Sequence, residues 1–259
     1  MNWRQLIPTV ITLLAMLCGF FSILLAIEGE EYFLLSAQFI MLAMMLDGMD
    51  GNVARLLKGT SPFGAELDTY VDLTAFGLAP AILIYQVALQ RHVDWRILMT
   101  SLVVLSGVIR LARFKVRDPA RGQAGYCGLP ITASAGWVAI FVMLSETRVF
   151  ANFFQLGQGP VSVVFLVGVL VMITLQVSNV RYPKPTKNLA IFVVCIVLVL
   201  LLFFKKSIVA PLAAVAILML GILYVLFGPV FVEVSKRKSA AKTADLNANG
   251  DLYADNGGI

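Results

Sequence analysis

Charge is scarce in this chain. Asp, Glu, Lys and Arg make up 14% of its 259 residues, against about 25% in an average soluble domain. Hydrophobic residues make up 59%, and mean hydropathy is +0.88. That balance excludes an ordinary water-soluble fold and points into a bilayer. Histidine occurs once, as His92, in a loop beside Asp94 and Trp95. A lone surface histidine carries no catalytic argument. The three cysteines, Cys18, Cys127 and Cys195, fit no metal-binding spacing, and two of them lie inside apolar runs. They read as small hydrophobes with no disulfide framework. No small-residue cleavage site follows the apolar run after Arg4, so that run reads as a first transmembrane helix and not as a signal peptide. No internal repeat is present.

What the sequence has is a series of long apolar runs. They predict helices over about residues 6–27, 32–57, 64–90, 95–114, 130–144, 160–180, 189–204 and 208–227, the seventh being the shortest. A hydrocarbon core about 30 Å thick takes about 20 helical residues to cross. The expectation is an all-α integral membrane protein with about eight transmembrane helices, which puts both termini on one face. Of the twenty Lys and Arg, only Arg91, Arg96, Arg148, Lys205 and Lys206 fall on the opposite face. This asymmetry marks the face of the termini as cytoplasmic. The net charge of +5 is therefore topological. It implies the lipid bilayer as a partner and no nucleic acid. Three units are expected: 1–183, a C-terminal helix pair over 184–235, and a disordered cytoplasmic tail over 236–259, where hydrophobicity is low.

Four aspartates interrupt the hydrocarbon: Asp47, Asp50, Asp68 and Asp72. Counting about 20 residues from Tyr32 reaches Gly51, so the acids lie at the cytoplasmic end of their helices. Asp47 and Asp50 are three apart, and Asp68 and Asp72 are four apart, so each pair shares a helix face. Across a short turn the pairs would face each other. Four carboxylates so placed suit two hard divalent cations about 3.5–4 Å apart, which clamp phosphate oxygens and acidify a bound hydroxyl. Gly51, Ala54 and Gly64 leave room for a ligand near the backbone, and Arg55 can take phosphate oxygens bidentately. A purely structural ion network is disfavoured. Each buried acid costs roughly 2.5–3.5 kcal/mol to insert, and Arg55 and Lys58 cannot neutralise four anions. A cation-coupled transporter is disfavoured because the acids form one patch and do not spread across the bilayer.

The spacing Asp-x2-Asp-Gly-x2-Ala-Arg-x8-Gly-x3-Asp-x3-Asp resembles the signature of the CDP-alcohol phosphotransferase family. It is complete at Asp47, Asp50, Gly51, Ala54, Arg55, Gly64, Asp68 and Asp72. The resemblance implies a six-helix catalytic core, here within 1–183, with two further C-terminal helices. It implies transfer of a phosphatidyl-type group from a CDP-linked lipid to an alcohol, with CMP leaving. By that resemblance the four aspartates hold two Mg²⁺ or Mn²⁺ ions. Asp68 and Asp72 are catalytic, Asp72 also taking the proton of the attacking hydroxyl. Gly51, Arg55 and Ser61 correspond to nucleotide and phosphate contacts, and Pro8, Thr9 and Thr12 to the cytidine side. The family's usual state implies a homodimer.

The continuation after Asp72 bears on the acceptor. Phe76-Gly-Leu-Ala-Pro-Ala, Arg110-Leu-Ala-Arg-Phe, Gly128-Leu-Pro and Ser178-Asn-Val-Arg-Tyr-Pro are similar to the serine-using branch of the family. Thr69 departs from its usual serine, and Thr74-Ala75 from an apolar residue followed by serine. The resemblance implies CDP-diacylglycerol and L-serine as substrates, at the cytoplasmic face of the plasma (inner) membrane. Glycerol 3-phosphate and an inositol phosphate are the other acceptors of this chemistry. Serine's carboxylate needs a cation, and Arg110, Arg113, Arg121 and Arg181 are the candidates; each could instead be a positive-inside anchor. Glu66 adjoins the acids but points off their face. Residues 245–250 resemble the start of a calcium loop, but Asn256 stands where its twelfth-position glutamate belongs.

Overall fold

The computed structural model describes residues 2–87, 93–117, 126–147, 156, 159–183, 189–204 and 209–254; for Arg117, Tyr126, 189–192 and 235–254 the description is of the backbone. The chain is an all-α membrane protein. Its helices are α1 (Trp3–Glu28), α2 (Phe33–Leu56), α3 (Pro62–Val71), α4 (Ala79–Val87), α5 (Val93–Arg117), α6 (Ile131–Ser145), α7 (Pro160–Val177), α8 (Leu189–Leu201) and α9 (Val209–Ala254). A π-helical turn, Asp72–Leu78, joins α3 to α4, so Pro62–Val87 forms one apolar span. Six spans are long and apolar enough to cross a membrane, and α6 is a shorter apolar helix.

The eight expected passes are all helical, but α6 differs in kind from the others. Val138 to Leu144 are buried without a break, as are Ile131, Ser134 and Ala135. A helix buried all round sits inside a bundle. It packs against α2, α4, α7, α9 and the π turn.

Small residues set how closely α1 approaches its neighbours. Its buried face is Ala15, Cys18, Gly19, Ser22 and Ala26, a helical stripe with almost no bulk. Without a hydrophobic drive between helices in lipid, such stripes let backbones meet. The Ser22 and Ser36 hydroxyls lie 2.9 Å apart, joining α1 to α2. A Cβ on Gly19 would stand 2.5 Å from the Ala75 Cα, so α1 lies directly on the π turn. A Cβ on Gly59 would overlap the Arg4 carbonyl. Pro8, inside α1, lacks the N–H that would have bonded that carbonyl. The α2–α3 turn thus docks where the first helix has a free backbone oxygen, and α1 holds both ends of the α3 segment.

One expectation needs correction. The third helix is not uniformly α-helical: Ala79 N–H bonds the Thr74 carbonyl, five residues back, and Pro80 lacks the donor for the next turn. The backbone of α9 is helical to Ala254, through part of the tail expected to be disordered. Between Pro229 and Gly250 no glycine or proline interrupts the segment, and its alanines and lysines are good helix formers. That helix also runs through 245–250, which excludes a calcium loop there. Tyr182 is buried and stacks with Tyr224, whose hydroxyl donates to the Pro183 carbonyl at 2.9 Å. That contact ties α9 to the end of the core.

Candidate active site

The last turns of α2 carry Asp47 and Asp50, and α3 carries Asp68. Their positions follow from the short 57–61 connection. Lys58 adopts a left-handed conformation (φ 52°) that stops α2, and the Gly59 N–H bonds the Ala54 carbonyl at 2.9 Å. Ser61 then opens α3 as its N-cap, accepting the Gly64 N–H at 3.0 Å, with Pro62 at the first helical position. The turn brings the acids of the two helices together. One oxygen from each of Asp47, Asp50 and Asp68 lies within 4.8 Å of the other two.

This donor set fits a hard divalent cation. Octahedral ligands at 2.0–2.1 Å stand about 3 Å apart when adjacent and about 4 Å apart when opposite. Three ionised carboxylates this close repel by about 4 kcal/mol per pair at an effective dielectric of about 20. A cation between them reverses the sign. Asp72 stands one turn beyond Asp68, at the first residue of the π turn, and is half-buried. It is outside the converged trio, so the expected set of four ligands appears as three together and one a turn deeper.

Thr12 is placed differently from its expected cytidine-side role. Its hydroxyl lies 2.5 Å from Asp50 Oδ2 and 2.9 Å from the Pro8 carbonyl. A buried hydroxyl from α1 therefore meets a buried carboxylate of the trio. Thr9 is buried and donates to the Gln5 carbonyl at 2.7 Å. Ser61, expected as a phosphate contact, has its hydroxyl engaged in the cap. Arg55 is exposed, and its Nη2 donates to Asn52 Oδ1 at 2.7 Å. Gly51 lies beneath it; a Cβ there would come 3.7 Å from Arg55 Nη1. Gly64 and Ala54 are half-buried at the edge of the trio. Asn52 was not singled out from the sequence, although it stands inside the motif three residues before Arg55, where helix neighbours meet.

The four arginine candidates separate. Arg110 is buried, on the face of α5 that carries Val103 and Ser106, and α5 packs against the π turn. Its guanidinium interacts electrostatically with Asp72. Arg113 does not face the acids. It donates to the carbonyls of Val177 (2.5 Å), Gln176 (3.0 Å), Ser178 (2.7 Å) and Cys127 (3.5 Å). It is a cap on the C-terminus of α7, whereas the sequence alone makes it a candidate for the acceptor's carboxylate. Arg181 is exposed on the two-residue strand β2 (Arg181–Tyr182), paired antiparallel with β1 (Tyr126–Cys127). Arg121 lies outside the described residues. Glu66 pairs with Lys115 at 2.5 Å, joining α3 to α5 at an exposed rim.

Comparison with known proteins gives the family of the chain. A CDP-diacylglycerol–serine O-phosphatidyltransferase of Helicobacter pylori is 32% identical over 247 residues, covering 92% of this chain and 99% of its own. An archaetidylserine synthase of Methanothermobacter thermautotrophicus is 33% identical over 183 residues, 69% of this chain and 70% of its own. A CDP-diacylglycerol–serine O-phosphatidyltransferase of Methanocaldococcus jannaschii is 30% identical over 196 residues, 75% of this chain and 82% of its own. Residues 5–174, which include every aspartate of the site, match the family described as CDP-alcohol phosphatidyltransferase. The chain belongs to the CDP-alcohol phosphatidyltransferase family.

Proposed function

We propose that this enzyme transfers the phosphatidyl group of CDP-diacylglycerol to the hydroxyl of L-serine, forming phosphatidylserine and releasing CMP. The observation that carries this reading is the convergence of Asp47, Asp50 and Asp68 oxygens from two membrane helices. The relatives supply the acceptor: their names share serine while the lipid differs between them.

Asp47, Asp50, Asp68 and Asp72 would hold two Mg²⁺ or Mn²⁺ ions, which when bound neutralise the diphosphate and polarise its phosphorus. Thr12 fixes the orientation of Asp50. Arg55, above Gly51, takes nucleotide phosphate oxygens. Thr9, Ala54, Gly64 and Ser61 shape the wall beside it. The serine oxygen attacks the lipid-bearing phosphorus, the bond from that phosphorus to the oxygen of CMP breaks, and Asp72 accepts the serine proton. Arg110, buried beside the π turn, holds the serine carboxylate. The catalytic unit is 1–183. The active site and both termini lie on the cytoplasmic side of the plasma membrane, the lipid enters sideways from the inner leaflet, and the enzyme works as a homodimer.

The test is CMP release by the purified chain in micelles containing CDP-diacylglycerol, with each acceptor supplied in turn. Serine is expected to give metal-dependent CMP release. Release with glycerol 3-phosphate or an inositol phosphate but not with serine refutes the acceptor. Ion flux in proteoliposomes without CMP release refutes the chemistry. Asp72→Asn keeps the shape of the side chain but cannot take the proton. Its kcat is expected to fall by about 10²–10⁴-fold, the usual size of a general-base contribution. Full activity in that variant removes Asp72 from the reaction.

A further inference from the structure

Arg113 is one turn beyond Arg110 on α5, and it has a different task. Both of its terminal amines are engaged by backbone. Nη1 donates to the Val177 carbonyl, and Nη2 faces those of Gln176, Ser178 and Cys127. The first three are the last carbonyls of α7, which have no partner within their own helix and carry its negative dipole end. The fourth comes from β1. One guanidinium therefore fixes the end of α5 against both α7 and the β1–β2 ladder.

Gly128 makes room for it. Its φ is +81°, and a Cβ there would stand 2.7 Å from Arg113 Nη2 and overlap the Gln176 carbonyl. Its N–H donates to the Val180 carbonyl at 2.7 Å, and the Leu129 N–H donates to the Leu175 carbonyl at 3.0 Å. On the same turn of α7, the Gln176 side chain donates to Ser134 on α6. The whole contact is made to backbone carbonyls and is spread over two terminal nitrogens, which a guanidinium fork can supply and an ammonium cannot.

We propose that Arg113 is a positioning residue. By clamping α5 to the α7 terminus and β1, it sets the depth at which Arg110 stands beside the π turn, and with it the affinity for the acceptor's carboxylate. This rests on serine being the acceptor. The hydrogen bonds of Arg113 go to the carbonyls of α7's end and of β1, so its loss should leave the CDP-diacylglycerol side of the reaction alone.

The test uses the full chain in isolated membranes, with Arg113→Lys, Gly128→Ala and Arg110→Lys measured singly, and Arg110→Lys/Arg113→Lys together. Arg113→Lys is expected to raise the serine KM about tenfold, with kcat and the CDP-diacylglycerol KM within about twofold of the unsubstituted chain. Gly128→Ala should do the same with the Arg113 charge intact. The double variant should be no worse in serine KM than Arg110→Lys alone, because coupled residues are not additive. An unchanged serine KM in Arg113→Lys overturns the proposal, as do additive effects in the double variant or a loss confined to kcat. If neither Arg113→Lys nor Gly128→Ala accumulates in membranes, the clamp serves folding only and the proposal fails. Absence of serine-dependent CMP release in the unsubstituted chain overturns the acceptor reading itself, which the variants do not.

Discussion

A single hydroxyl connects the first helix to the cation site. Thr12 is buried and 2.5 Å from Asp50 Oδ2. A hydrogen bond to a carboxylate contributes about 1.5–3 kcal/mol, and groups that orient metal ligands typically change metal affinity by about 10–100-fold when removed. Thr12→Val keeps the volume and deletes the donor. The concentration of Mg²⁺ or Mn²⁺ for half-maximal CMP release is expected to rise by about that factor, with the serine KM unchanged. An unchanged metal requirement would reduce Thr12 to packing. The aspartates themselves were legible because buried charge is rare in so apolar a chain and their helical spacing is fixed. The fate of each arginine was not. Arg110 and Arg113 share a helix and a charge, and only the backbone carbonyls of α7 distinguish a cap from a site residue. Ser61 is ambiguous for a similar reason: a hydroxyl before proline suits both a phosphate contact and an N-cap.

At the scale of elements, every expected helix exists, because apolar runs of this length have no other stable form in lipid. The π turn was hidden. One extra residue in a turn leaves hydropathy unchanged, and only Pro80 hinted that the helix could not continue regularly. π-turns are rare and recur at functional sites. Here one begins at Asp72 and is held from outside by α1 at Gly19. Gly19→Ala would drive a methyl to 2.5 Å from the Ala75 Cα and 2.6 Å from its Cβ. Overpacking of this kind costs about 1–3 kcal/mol. The variant is expected to lose apparent Tm in detergent and to lose activity with it, since the displaced backbone carries Asp72. Gly221→Ala is the control. A Cβ on Gly221 meets nothing within 4 Å, and replacing a helical glycine by alanine gains about 0.5–1 kcal/mol. Equal effects of the two substitutions would mean that the α1 contact does not hold the turn. The length of α9 was hidden too, since its polar end continues the helix past the apolar run.

At the scale of the whole molecule, the charge asymmetry and the site make one joint demand. Asp47 and Asp50 sit at the end of α2 that meets the 57–61 turn, and Asp68 meets them from α3. The other end of α2 follows the acidic segment Glu28, Glu30 and Glu31. If Lys and Arg mark the cytoplasm, the water-soluble substrates must arrive at the 57–61 side, and the glutamates must face outward. Thr60 and Glu30 are both exposed, at opposite ends of α2. With Cys18, Cys127 and Cys195 replaced by alanine, single cysteines at these two positions report the orientation. A membrane-impermeant maleimide added to intact cells is expected to label Glu30→Cys, and to label Thr60→Cys only after permeabilisation. The reverse pattern would place the cation site outside, where the cell's CDP-lipid and serine do not meet it, and would break the link between the topology and the chemistry. Labelling of both in intact cells would mean that the 57–61 turn reaches outside water, and would break the same link.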